Sequence, residues 1–177
     1  APAIFDKWAR TKAALRCGAD VVLELPSLYA ASSAEYFALG AIATLNACGC
    51  VDFLSFGCET DSPEKLTALA RERAQNKAAI LTEVRRKMKT GVSYPKAAGE
   101  RMSSNDLLGL EYLSALMASK SAIVPYPVKR FGTASHNDPA VHSSVTSATS
   151  LRTCLQDGNF GKIPEGTMPP AAHEIFE

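Results

Sequence analysis

"SSAEYFALGAIATLNACGCVDFLSFG", residues 32–57, carries the fold decision in one run. Its first part sets Tyr36, Phe37, Leu39, Ile42 and Leu45 at helical spacing behind Ser33, a residue type that caps helix N-termini. Its last part, residues 51–57, is a short aromatic and aliphatic run that reads as a buried strand ending in glycine. Outward toward the N-terminus, "DVVLEL" (20–25) is another β-branched run, closed by Pro26. Before it, "FDKWARTKAALRC" (5–17) repeats Phe5, Trp8, Ala13 and Leu15 at helical spacing, with Gly18 as the residue that ends the helix. Outward in the other direction, residues 62–90 read as one long helical pattern or two, entered at Ser62-Pro63 with Glu64 in the first turn. A shorter helix is expected at 95–101. Residues 104–120 give the strongest helical pattern, with Leu107, Leu108, Leu110, Leu113, Leu116 and Met117 on one broad face. "AIVPYPVKR" (122–130) reads as a third strand that Pro125 and Pro127 confine to an edge or to the end of a sheet. A polar loop over 131–144, a helix over 147–157 and an irregular, proline-rich tail from Ile163 complete the chain. Strands separated by helices imply an α/β fold with a parallel sheet.

Composition limits the class. The 177 residues are 46% hydrophobic and 21% charged, as in ordinary globular chains, and one domain or one domain with an appendage is expected. No apolar stretch approaches the roughly 20 residues that span a bilayer. Asp6, Lys7 and Arg10 interrupt the start, so no secretory signal is read there. The chain opens on Ala1 without a methionine and passes directly into a helical pattern, which reads as a fragment or a processed product. Cys17, Cys48, Cys50, Cys58 and Cys154 are odd in number and lack zinc spacing, so free thiols in a reducing cytoplasm are expected, and no metal site.

Charge is uneven. Between Lys65 and Arg101 ten Lys/Arg face three Glu, a surplus of seven inside a chain whose net charge is +1. Such a block is either a solvated helix face or a surface for a polyanion such as RNA.

Ligands of parallel α/β sheets sit beyond the carboxyl ends of the strands. Three places qualify: Phe56-Gly57-Cys58-Glu59, Lys129-Arg130-Phe131-Gly132, and the helix start at 147–152. Each has a plainer explanation, as a turn, a surface charge and a cap. The third lies in "VTSATSLRTCL" (145–155), where Ser147, Thr149 and Ser150 open a helix and Arg152 is expected within its first turn. A cation there opposes the helix dipole by a few tenths to about 1 kcal/mol. The placement makes sense if a phosphate occupies the first turn, bound by its N–H groups and small hydroxyl side chains, with Arg152 closing over it.

Taken in order, "APAIFDKWAR", "LELP", "SAEYFALGAI", "VDFLSFGCE", "SNDLLGLEYLSAL", "VKRFGTASH" and "TSATSLR" resemble the bacterial tRNA(Met) cytidine acetate ligase family over residues 1 to about 157. The resemblance implies a Rossmann-like nucleotidyltransferase sheet flanked by helices, with a basic helical insertion at 62–101 in a partial domain spanning 1–157. Residues 158–177 would then be an irregular tail opening a truncated C-terminal region. It implies an ATP-dependent cytoplasmic enzyme, with magnesium accompanying the nucleotide. Acetate would be activated as acetyl-adenylate, and N4 of the wobble cytidine of elongator tRNA(Met) acetylated. The family's motifs point to Gly57, Asn105, Arg130, Ser147, Thr149 and Arg152 as ATP contacts. The family's histidine-bearing N-terminal signature is not seen, and its expected place is upstream of Ala1, so the chain alone is expected to be inactive. No protein nucleophile is needed, because attack of acetate on the α-phosphate requires positioning and cationic stabilisation. Arg85, Arg86, Lys87 and Lys89 are the expected RNA contacts. His136 reads as a surface residue more readily than as a phosphate contact, and His142 and His173 have no assigned partner. Two rivals remain: an adenylyl-transferring enzyme of cofactor biosynthesis, to which the basic block is of no use, and a non-catalytic RNA-binding remnant.

Overall fold

A computed structural model describes residues 3–60, 63–91, 102–130, 148–156, 163 and 166–176. Its elements in chain order are α1 (Lys7–Arg16), α2 (Ser27–Ala30), α3 (Ala34–Cys48), β1 (Phe53–Cys58), α4 (Pro63–Met88), α5 (Ser104–Ala118), β2 (Val124–Lys129), α6 (Ala148–Gln156) and α7 (Pro170–Phe176). They form two compact units: Leu25–Arg130, and residues 1–24 together with 131–177.

In the unit Leu25–Arg130, β1 and β2 pair in parallel, Phe53 opposite Val124 through Cys58 opposite Lys129. The connection between them contains α4 and α5, the helical crossover that a parallel pair requires. The prolines of β2 fit this pairing. Val124 N–H donates to Asp52 O at 2.8 Å and Arg130 N–H to Cys58 O at 2.9 Å. Alternation therefore turns the backbone nitrogens of Pro125 and Pro127 away from β1, where no donor is needed. Among the described residues β2 has β1 as its one neighbour, which agrees with the edge position read from the two prolines.

Helix α5 is the centre of this unit. On one side Ala115 and Leu116 join Ala38 and Ile42 of α3 and Ile123, with Leu54 packed against them. On the other side Leu110 and Leu113 join Leu66 and Ala70 of α4, with Phe56 against them. Gly109 lets α5 approach β1: a Cβ there would lie 2.7 Å from Phe56 Cε2 and 3.1 Å from Leu66 Cδ2. The expected helix over 62–90 is a single one, with Pro63 as its first residue and Glu64 in the first turn.

Three expectations need correction in this part of the chain. Residues 20–25 form no strand; Val21 is 71% exposed, and no ladder partner lies beside the run among the described residues. β-branched residues favour a pleated surface only where a neighbouring strand completes it. Strand β1 is buried on one face alone: Leu54, Phe56 and Cys58 turn inward, while Phe53 (66% exposed) shares the outer face with Val124, Tyr126 and Val128. On α3 the spaced apolar residues divide: Ile42 reaches the core with Leu45 packed against it, beside Ala38, while Tyr36 and Leu39 are exposed. Ser33 does stand at the N-cap of α3, with extended backbone, but its side chain makes no capping bond.

In the other unit, Asp6 caps α1 by accepting from Ala9 N–H at 2.8 Å, and Gly18 follows the helix end at φ 103°. Only Ala13 of α1 is buried; Trp8 is 72% exposed. Residues 170–176, expected to be irregular, form α7, which begins at Pro170, the position where a missing N–H costs nothing. Ala172 is buried on α7, and Glu174 lies 3.7 Å from Arg16 of α1.

Candidate functional site

The carboxyl ends of β1 and β2 and the first turn of α5 meet at one corner of the unit Leu25–Arg130. Parallel pairing sets Gly57 opposite Val128 and Cys58 opposite Lys129, and the ladder runs one step further through the Arg130 N–H. This brings Arg130 beside Gly57. A Cβ on Gly57 would lie 3.3 Å from Arg130 Cγ and 3.5 Å from its Cδ, so the arginine stem lies over the glycine backbone. Both residues are exposed.

The loop leaving β1 is held by α5. Ser103 caps that helix, its Oγ accepting from Asp106 N–H at 3.2 Å. Asp106 Oδ1 accepts from Glu59 N–H at 2.8 Å and from Thr60 N–H at 3.2 Å. Glu59 Oε1 in turn accepts from Asn105 Nδ2 at 2.8 Å. Gly57, Asn105 and Arg130, three of the residues named from sequence, thus converge on one corner although they are far apart in the chain. The structure adds Asp106, which was not named from sequence, and gives a partner to Glu59, which was named only as part of the stretch Phe56-Gly57-Cys58-Glu59. The signal for Asp106 was present: an acid three residues after a serine that opens a helix is a capping-box spacing.

Chemically the corner offers accessible strand backbone at a glycine, the positive end of a helix dipole, a side-chain amide and a guanidinium. That set suits an anionic or polar ligand. Cys58 is not a nucleophile here. Its thiol is fully buried, and burial, then the Asp106 carboxylate, push its pKa up from 9.0 while Lys129 opposes them. Among the described residues no group of three or more His, Cys, Asp or Glu is placed to hold a metal.

The remaining residues named from sequence belong to the other unit or lie outside the described residues. Arg152, half-buried, and Thr149 are on α6, in the unit formed by residues 1–24 with 131–177. Because α6 starts at Ala148, Arg152 is its fifth residue, past the first turn rather than within it. The conflict with the helix dipole is correspondingly smaller, since that field fades within one turn. Ser147, His136 and His142 lie outside the described residues, as does the helix expected at 95–101.

The basic block is borne mainly by α4. Arg73 is committed to structure, its Nη1 3.1 Å from Glu111 Oε1 in a partly buried pair that ties α4 to α5. Lys65, Arg71, Arg86 and Lys89 are exposed. Arg85 and Lys87 belong to the same helix, and their side chains lie outside the described residues.

A family model described as HIGH Nucleotidyl Transferase matches residues 1–177. The chain is 36% identical over 193 residues to the tRNA(Met) cytidine acetate ligase of Acetivibrio thermocellus, with 99% of this chain and 46% of the relative covered. It is 39% identical over 186 residues to that of Caldicellulosiruptor bescii, covering 99% of this chain and 45% of the relative. Among solved structures it is similar to Thermotoga maritima TmcAL in its apo form, at a TM-score of 0.86 and 31% identity, over 98% of this chain and 45% of that one. It is also similar to the same protein bound with alpha-thio ATP, at a TM-score of 0.82 and 31% identity, over 98% of this chain and 44% of that one. The chain thus spans less than half the length of these relatives. The parallel sheet flanked by helices is that of a nucleotidyltransferase fold, as the motif resemblance implied. No helix among the described residues is long and apolar enough to cross a membrane.

Proposed function

The chain belongs to the HIGH nucleotidyl transferase family, and from that membership we propose that it is the nucleotide-handling part of an ATP-dependent ligase. The ligase activates acetate as acetyl-adenylate and transfers the acetyl group to N4 of the wobble cytidine in elongator tRNA(Met). The observation that carries this proposal is the meeting of Gly57, Asn105 and Arg130 at the carboxyl ends of the paired strands. A similar solved chain has bound alpha-thio ATP, and similar curated chains are named for tRNA(Met) and acetate. The nucleotide-binding domain is proposed to cover residues 1–157, with residues 158–177 opening a further region, and the place of work is the cytoplasm.

Each residue has a distinct part. Gly57 exposes its backbone, and the absence of a Cβ leaves the nucleotide and the Arg130 stem room to share one surface. Asn105 supplies an amide at the positive end of α5, oriented by Glu59. Arg130 offers a cation to phosphate oxygens. Ser147, Thr149 and Arg152 are proposed to hold further phosphate oxygens. ATP supplies an activated α-phosphate, and magnesium would enter with its phosphate oxygens. Once acetate is aligned, developing charge on phosphate is stabilised by fixed cations and helix N–H groups, so no side chain has to form a covalent bond.

Transfer RNA would meet the cations at the carboxyl end of α4: Arg85, Arg86 and Lys87 on the helix, and Lys89 just after it. A plainer reason for these four also exists, because they stand toward the carboxyl end of α4, where the helix dipole favours positive charge.

The test is acetate-dependent exchange of labelled pyrophosphate into ATP by the natural gene product that contains these residues, without tRNA. Exchange that requires acetate is the expected result. Exchange with another acceptor in place of acetate would turn the assignment to a different adenylyl-transferring enzyme. Loss of all ATP binding with tRNA binding retained would leave an RNA-binding remnant.

A further inference from the structure

Asp106 is the third residue of α5, where an acidic side chain ordinarily turns back to its own helix cap. Here it reaches the loop after β1 instead. One oxygen, Oδ1, takes two consecutive N–H groups, those of Glu59 and Thr60. Glu59, so held, carries its own carboxylate back to Asn105 Nδ2. A closed circuit results: Asp106 grips the loop backbone, the loop's Glu59 grips Asn105, and Asn105 precedes Asp106 in the chain. Gly57 lies two residues before Glu59, and the residue between them is tied to Arg130 through Cys58 O.

We propose that Asp106 is a positioning residue of the nucleotide site, setting the loop that follows Gly57 and, through Glu59, the orientation of the Asn105 amide. The inference rests on the assignment of Gly57, Asn105 and Arg130 to ATP. Two observations favour this role over a merely structural one. Asp106 is half-buried at the helix end, away from the two apolar clusters, so the contacts it makes are those of the loop. Its oxygen is spent on the N–H groups of the segment that leaves Gly57, and not on its own helix. A carboxylate beside a triphosphate would otherwise repel it; two N–H donors and the positive end of α5 offset that charge.

The experiment compares wild type, Asp106→Asn, Asp106→Ala and Glu59→Ala in the natural gene product. Asparagine keeps an oxygen acceptor in place, and alanine removes it. Asp106→Ala is expected to speed amide exchange at Glu59 and Thr60, to shift the side-chain amide resonances of Asn105, and to raise the ATP Kd about tenfold, the scale of a lost charge-assisted hydrogen bond. Asp106→Asn should restore ATP affinity to within about threefold of wild type, because the acceptor geometry survives. Thermal melting shows whether each variant is folded at the assay temperature. If Asp106→Ala does not fold, Glu59→Ala replaces it: that side chain is exposed, and its loss should move the Asn105 resonances and weaken ATP by a similar factor. Unchanged ATP affinity in a folded Asp106→Ala or Glu59→Ala protein overturns the inference alone. An Asn variant as weak as Ala does so too, since charge and not the acceptor would then be acting. Failure of the wild type to bind ATP overturns the nucleotide assignment and this role together.

Discussion

Gly57 and Arg130 share one surface, the arginine stem lying over the glycine backbone. At Gly57 a methyl group would press on the Arg130 stem at 3.3 Å, a distance from which a flexible side chain can retreat by a few tenths of an ångström. Gly57→Ala should therefore change thermal stability little, within about 1 kcal/mol, while weakening ATP about tenfold because Arg130 is displaced and the backbone shielded. Calorimetric titration beside a melting curve separates the two. Arg152→Ala gives a complementary outcome. If α6 holds phosphate, ATP binding should fall by about 1.5–3 kcal/mol, the scale of a charge-assisted hydrogen bond; unchanged affinity would make Arg152 a residue of its own unit only. Cys58 sets an alkaline limit. Its folded-state pKa is raised above 9.0, so the native state holds the proton more tightly than the unfolded chain does. The stability so conferred is present below pH 9.0 and lost as pH rises through the folded value; Tyr112, raised by burial from 10.0, acts in the same direction. Denaturant midpoints measured from pH 8 to 10.5 should fall, and less steeply in Cys58→Ala.

At the scale of elements, α5 joins stability to the site. Its middle fills both apolar clusters, and its first turn supplies Asn105 and Asp106. Gly109→Ala would drive a Cβ to 2.7 Å from the Phe56 ring, closer than real contacts allow, so α5 or β1 must shift. A loss of about 1–3 kcal/mol is expected, as for overpacked cores. Because Phe56 precedes Gly57, ATP affinity should fall with stability, unlike the result at Gly57 itself; urea unfolding and ATP titration of one variant check the pairing. Helix α4 has an inner face, Leu66 and Ala70, a tether at Arg73–Glu111, and exposed cations. Its length and inner face account for the helix, and only the exposed positions remain for a partner.

For the molecule as a whole, the surplus of seven positive charges between Lys65 and Arg101 sits in a chain of net charge +1. If α4 holds tRNA, affinity should fall steeply with salt as counterions are released, with a slope proportional to the phosphates contacted. Neutralising Arg85, Arg86, Lys87 and Lys89 together should flatten that slope and leave ATP binding nearly unaffected. An anisotropy titration at several salt concentrations measures it; an unchanged slope would make the block a solvated face stabilised by the helix dipole. Discrimination among tRNAs need not change with it, because phosphate contacts carry no base information.

Sequence alone determined what depends on local and periodic chemistry. Pro63 started α4, Gly18 ended α1, and the leucines of 104–120 named the helix that became the centre of its unit. Pro125 and Pro127 marked an edge strand, since a missing N–H is a property of the residue itself. Gly57, Asn105 and Arg130 came from motif resemblance, and their shared place at strand ends followed from how parallel sheets present loops. What only tertiary structure decided depends on neighbours distant in the chain. Residues 20–25 have strand composition but no ladder, and β1 has an apolar outer face because burial depends on what packs against a strand. Arg73 looked like part of the basic surface until Glu111, on another helix, claimed it. Arg152, expected in the first turn of its helix, is the fifth residue of α6 and lies past that turn. The role of Asp106 was decided by the fold, since nothing local distinguishes a carboxylate that caps its own helix from one that holds a loop 46 and 47 residues away.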